Sequence, residues 1–345
     1  MYSESVACLV LRCRDLAANE AFFRELGFRL ATVFPADSPR ELELLGHGLR
    51  ICLQLGSRDG GGQLRVPGAV PRELQAPNGA RVEIVRVAAA LPELQSIAPT
   101  FAVHRGSTVP FHTGRAGMQY RDLLPDRLGG GWIVSCIRIE RGGPVPDYVH
   151  FHRLAAQALY CTVGRVRLVY EDQGEPFDMV AGDCVLQPPT IRHRVLECSD
   201  GFEVIEVAAP AEHVTVVDAQ LALPTGRVQR ARVFAGQRFH HHRGSDGTWG
   251  AGHDVGLRQR DCGMAVASHG ALGVAVLERE ASSSLTNIVA APSVRLWLPL
   301  RGSLRLQGDP VGVGDTAVLP AQQELGLDAA SEDLQVLEFT LGAPA

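Results

Sequence analysis

The sequence predicts a mainly β protein: a small β-α-β-β-β module at the N-terminus, followed by an all-β domain present in two copies. Three observations carry this. A single amphipathic helical stretch stands among strand-length apolar runs near the start of the chain. Beyond residue 115, short apolar runs alternate with Gly, Pro and Asp turns and few helical periods occur. Segments of residues 116–225 also recur, in the same order, within residues 226–345.

In the first ninety residues a strand over 7–12 leads to Asp15, an N-cap for a helix over 16–26. Leu16, Phe22, Phe23 and Leu26 give that helix an apolar stripe, and Gly27 ends it. Strands are expected over 28–34, 41–45 and 49–55, then a Gly-rich break at 59–62 and a strand over 81–87. This order, with Arg14-Asp15-Leu16, Leu26-Gly27-Phe28 and the Pro77-Asn78-Gly79 turn before Arg81-Val82-Glu83, resembles one module of the vicinal-oxygen-chelate (glyoxalase-like) superfamily. In that superfamily the first strand often supplies a metal-binding His and the post-turn strand a Glu. Glu83 fits the second place, but Cys8 stands where the His is expected, so a module kept for packing or dimerisation is implied. A lone β-α-β-β-β unit leaves an open half-barrel, from which a homodimer is expected.

Residues 91–115, with Pro92, Pro99 and Pro110, read as a linker. After it, Gly117-Met118-Gln119-Tyr120-Arg121-Asp122 recurs as Gly256-Leu257-Arg258-Gln259-Arg260-Asp261. Gly182-Asp183 with Pro188 recurs as Gly314-Asp315 with Pro320, and Val204-Ile205-Glu206-Val207 as Val336-Leu337-Glu338-Phe339. The domain is therefore duplicated, with a boundary near Thr225: barrel 1 over 116–225 and barrel 2 over 226–345.

The chemistry gathers in the first copy. Residues two apart on a strand share a face, so His150 and His152 point the same way, and Tyr148 has their parity. Gln157 and His193 follow. Three imidazoles and an amide oxygen suit a divalent first-row metal. Gly143, His150, His152, Gln157 and Gly164, then Gly182, Pro188 and His193, closely resemble the two motifs of the cupin superfamily, with Gln157 where Glu is usual and Thr190 where Gly is usual. The resemblance implies two tandem cupin (double-stranded β-helix) barrels. It also implies one mononuclear centre held by His150, His152, Gln157 and His193, iron first, with manganese, nickel, copper or zinc also suited. Tyr148 is the candidate catalytic donor or acid beside it. Gln157 brings no charge, which leaves the metal a stronger Lewis acid than a carboxylate would.

In the second copy Ile288, Ala290, Arg295 and Leu325 replace the four ligands, so barrel 2 is expected to be structural. Arg121, Asp122 and Glu206 keep counterparts there, Arg260, Asp261 and Glu338, and so read as structural too. His240-His241-His242 cannot all face one way on a strand and read as a surface or linker segment.

Composition narrows the function. Of 345 residues 46% are hydrophobic and 21% charged, the net charge is −5, and every basic residue is Arg. Schiff-base lysine chemistry and the usual P-loop are excluded, and nucleic acid is not an expected partner. The eight scattered cysteines read as buried small hydrophobes of a reducing compartment. No apolar run of membrane-spanning length and no leader pattern is seen, from which a cytoplasmic location is expected. The expected function is that of a metal-dependent cupin enzyme, of dioxygenase type, on a small organic acid or phenolic substrate. A non-redox isomerase or lyase and a non-catalytic binding bicupin are the alternatives.

Overall fold

A computed structural model of the chain describes residues 7–342, apart from 26, 47, 58–59, 68, 76–80, 87–89 and 281–286. The expected helix end at Leu26, the start of the Gly-rich break at Asp59, the Pro77-Asn78-Gly79 turn and Val87 lie outside the described residues. The chain is mainly β and divides into two compact units. No described helix is long and apolar enough to cross a membrane.

One unit comprises Met1–Leu91 together with two short downstream segments, Tyr148–Arg153 and Glu212–Ala222. Its helix, Leu16–Glu25, starts where Asp15 accepts the Ala18 N–H at 2.9 Å and ends at Gly27, whose φ of 89° suits only glycine. Leu16 and Phe23 pack on Leu42, Leu44, Ile51 and Leu53, while Phe22 is exposed, so the apolar stripe is narrower than the sequence suggests. The strands of this unit run in the order His150–Arg153, Val214–Val217, Arg29–Phe34, Glu41–Gly46, Leu49–Leu55, Cys8–Cys13, Gly60–Pro67, Arg81–Val85, Arg72–Gln75. The Gly-rich stretch expected as a break is thus a strand, paired antiparallel with Cys8–Cys13 and parallel with Arg81–Val85. Pairing on both sides supplies the order its side chains do not.

The other unit holds Pro92–Asp147, Leu154–Ala211 and Leu223–Ala345. It contains two seven-stranded sheets. The first runs His240–His242, Cys184–Leu186, Ala156–Val163, Phe202–Ala209, Ile133–Ile139, Gln119–Asp122, His112–Thr113. The second runs Ala102–His104, Thr316–Leu319, Val294–Arg301, Gln335–Leu341, Leu272–Arg279, Leu257–Asp261, Gly250–Ala251. The five inner strands correspond position by position, as the repeat predicts. The outer ones cross over: Ala102–His104, from the segment read as a linker, pairs with Thr316–Leu319 of the second copy. Reciprocally, His240–His242 pairs with Cys184–Leu186 of the first.

Alternation along these strands sorts the apolar residues into separate cores. Val294, Leu296 and Leu298 join Val134, Cys136 and Val207 in a cluster shared by the two seven-stranded sheets. Trp297 points the other way, into the second copy's own core, and Ile137 into the first copy's. Strands buried on both faces carry nearly unbroken apolar runs, which is how these segments read in the sequence.

Candidate metal centre

His150–Arg153 is a four-residue strand on which His150 and His152 are buried and Phe151 and Arg153 half-buried, the alternation that the spacing predicts. Its partner is Val214–Val217, with His150 opposite Val217 and His152 opposite Thr215. The His150 Nδ1–H donates to the Tyr148 carbonyl at 2.7 Å, and His152 Nδ1 shares a 2.9 Å hydrogen bond with Thr215 Oγ1. Tyr148, half-buried, sets its ring edge-on to His150 at 5.7 Å between centroids. His213, not anticipated from the sequence, is buried edge-on to His152 at 5.3 Å.

His193 opens the strand His193–Cys198 and is buried. Its Nδ1–H donates to the Ile191 carbonyl at 3.0 Å, and the Tyr170 ring stacks on it at 5.5 Å. Burial pushes the His193 pKa down to about 4, so the ring is neutral at neutral pH. A carbonyl accepts only, so Nδ1 of His150 and of His193 carries a proton, and in the neutral His193 ring Nε2 holds the lone pair. His150, His152 and His193 each offer one nitrogen, and these three atoms lie within 4.8 Å of one another.

Gln157 lies on Ala156–Val163, 1% exposed, and both ends of its amide are engaged. Its Nε2 donates to Glu206 Oε1 at 2.5 Å, and its Oε1 accepts from Gln187 Nε2 at 2.8 Å. Gln187, 2% exposed, also sets Nε2 3.1 Å from His193 Nε2 and accepts the Tyr170 hydroxyl at 2.9 Å. Sequence reasoning missed Gln187, Tyr170 and Thr215. Only Gln187 left a signal, standing directly before the motif proline, Pro188.

Three buried imidazoles, each offering one nitrogen to the same small volume and each held through Nδ1 by a neighbouring oxygen, fit a transition metal whose His ligands are oriented from behind. His150, His152 and His193 could hold the ion, and Gln157 Oε1 is the amide oxygen on the His193 side of that network. Thr190, in the place where cupins usually have Gly, has a φ of 68°, a left-handed conformation costly for a β-branched residue. The turn keeps the geometry that a glycine would adopt freely.

No protein-family model matches the sequence, and no curated protein sequence matches it. Solved structures do resemble it. A variant of oxalate decarboxylase from Bacillus subtilis superposes with a TM-score of 0.52 at 13% identity, over 74% of this chain and 80% of that one. The same enzyme at pH 4.6 gives 0.51 at 12%, over 73% and 79%. The protein Ylba from E. coli gives 0.49 at 12%, over 72% and 94%. The fold is a β-rich cupin fold.

The second copy carries other residues at the positions of His150, His152, Gln157 and His193. Ile288 and Leu325 are direct strand partners, both within an apolar core with Trp297 and Leu304. Arg295, at the register of Gln157, bonds Asp254 Oδ2 at 2.7 Å and Glu338 Oε2 at 3.3 Å. A buried guanidinium stands there in place of an amide, and Ala290 is exposed. The pairing of that position with a Glu on the neighbouring strand is common to both copies: Gln157 with Glu206, Arg295 with Glu338. Asp122 and Asp261 likewise bond the backbone N–H two residues on, at Leu124 and Gly263. These shared acids serve the fold.

Outside the two copies, Glu83 accepts from Arg65 Nε at 2.8 Å, and Arg65 Nη1 also reaches Cys52 Sγ at 3.7 Å. A guanidinium therefore already balances the carboxylate at which the glyoxalase-like resemblance would put a metal. The His240–His242 segment, read as surface or linker, is a half-buried strand. His241 bonds Asp183 at 3.3 Å and stacks on Phe177 at 4.5 Å, a packing role.

Proposed function

We propose that this cupin is a metal-dependent enzyme acting on a small organic acid or phenolic substrate, as an oxygenase with iron at the centre. The observation that carries the reading is the triad: three buried imidazole nitrogens within 4.8 Å, of which His150 and His193 are held as Nδ1–H tautomers by backbone carbonyls. Three neutral His ligands with a neutral amide leave the ion its full charge, which favours an anionic substrate. The likeness to oxalate decarboxylase, a protein named for a small dicarboxylic acid, points the same way. When bound, a redox-active metal with open positions supplies substrate chelation and dioxygen activation. The protein's own residues orient it: Tyr148 O, Thr215 and Ile191 O fix the rings, and burial keeps water out.

Metal content measured by mass spectrometry, on protein purified without added metal or chelator, tests this. Near-stoichiometric metal in the wild type, lost in His152→Ala, is the expected result; no metal in either overturns it. A non-redox lyase is the second reading, favoured by the uncharged ligand set. Oxygen uptake by the iron-loaded protein with substrate separates the two.

A further inference from the structure

We propose that Gln187 binds the anionic head of the substrate at this centre, an assignment that rests on the metal reading above. The Gln187 amide belongs to a chain of hydrogen bonds whose polarity is set at its ends. Glu206, a carboxylate, can only accept, so Gln157 turns its Nε2 toward it and its Oε1 away. At the other end the Tyr170 hydroxyl donates to Gln187 Oε1 at 2.9 Å. Gln187 therefore carries both N–H groups toward Gln157 Oε1 and His193 Nε2. Turned the other way, its oxygen would face a carbonyl oxygen and an imidazole lone pair, acceptor against acceptor.

Both acceptors are atoms that a metal would claim. His193 Nε2 has one lone pair, because its Nδ1–H is spent on Ile191. An ion bound there leaves at least one Gln187 N–H without its acceptor, in surroundings where the side chain is 2% exposed. Tyr170 still holds the amide oxygen, so the NH2 group stays beside the centre. A buried donor takes the nearest acceptor. The one that arrives with substrate is a carboxylate or enolate oxygen on an open coordination position. Gln187 thus changes partners on loading: it bonds the ligands in the empty site and the anion in the filled one.

The test uses the full chain loaded with cobalt(II), whose visible absorption reports its coordination, and acetate as the probe anion. Wild type is expected to bind acetate with a spectral change. Gln187→Met, nearly isosteric, is expected to bind cobalt at least as tightly, because competing hydrogen bonds are gone. Its acetate affinity is expected to fall about tenfold, as for a lost hydrogen bond to a charged group. Tyr170→Phe keeps the amide but loses its tether, and a smaller loss of acetate affinity is expected with cobalt affinity kept. Opposite signs for metal and anion are what a general packing defect does not produce. Acetate affinity unchanged in Gln187→Met, or cobalt and acetate lost together, overturns the assignment. Failure of cobalt to bind the wild type overturns the metal reading, and this proposal with it.

Discussion

Thr215→Val is the substitution that most sharply probes how the triad is held. His150 and His193 lean on the carbonyls of Tyr148 and Ile191, which no side-chain change removes. His152 leans instead on the hydroxyl of Thr215, 2.9 Å from Nδ1 and 0% exposed. Valine has the same shape without the hydroxyl, so packing is kept and this one bond is lost. Loss of an outer partner of a ligating His costs about 10–100-fold in metal affinity, or roughly 1.4–2.7 kcal/mol. Because the Nδ1 side stays buried, folding stability should also fall, by about 1–3 kcal/mol. Zinc affinity measured by competition with a chelator, with His152→Ala as the floor, reads the first effect; urea unfolding of the metal-free protein reads the second. Affinity within twofold of wild type would refute the idea that His152 is oriented through Thr215.

Three further outcomes are expected. His193 binds its proton near pH 4 when folded and near 6.5 when unfolded, so the unfolded chain holds more protons between those values. Stability of the metal-free protein should then be full above pH 6.5 and fall by about 3 kcal/mol as pH drops to 4; urea midpoints across that range, beside a flatter His193→Gln, check it. In the second copy, Arg295→Met leaves Asp254 and Glu338 buried without their guanidinium and should cost about 3–5 kcal/mol, seen as a lowered thermal midpoint at neutral pH. A homodimer is expected, and a clean monomer mass at micromolar concentration would exclude it.

The shared burial of His150 and His152 was legible in the sequence because strand geometry is local. His150 and His152, two apart, had to share a face. That Ile288 and Leu325 stand where the first copy has His150 and His193 was legible through the repeat, and both are buried in an apolar core. Thr215 and Gln187 were not legible. Thr215 matters because register sets it opposite His152, and a threonine sixty residues downstream carries no mark of that pairing. Gln187 matters because Tyr170 and Gln157 meet it from two different strands. The His240–His242 strand and the Ala102–His104 strand were misread as surface and linker because short edge segments owe their order to a partner, not to their own pattern.

The crossing of those two outer strands makes the two sheets depend on one another. In each half the stretch ahead of the repeated Gly-x-x-x-Arg-Asp segment joins the sheet of the other copy, so neither copy's sheet is complete on its own. Two separate chains of one copy each, trading the same arms, would build the same pair of sheets with a twofold axis between them. The single chain and such an arm-exchanged pair would share one pairing scheme, differing only in the covalent link between the halves.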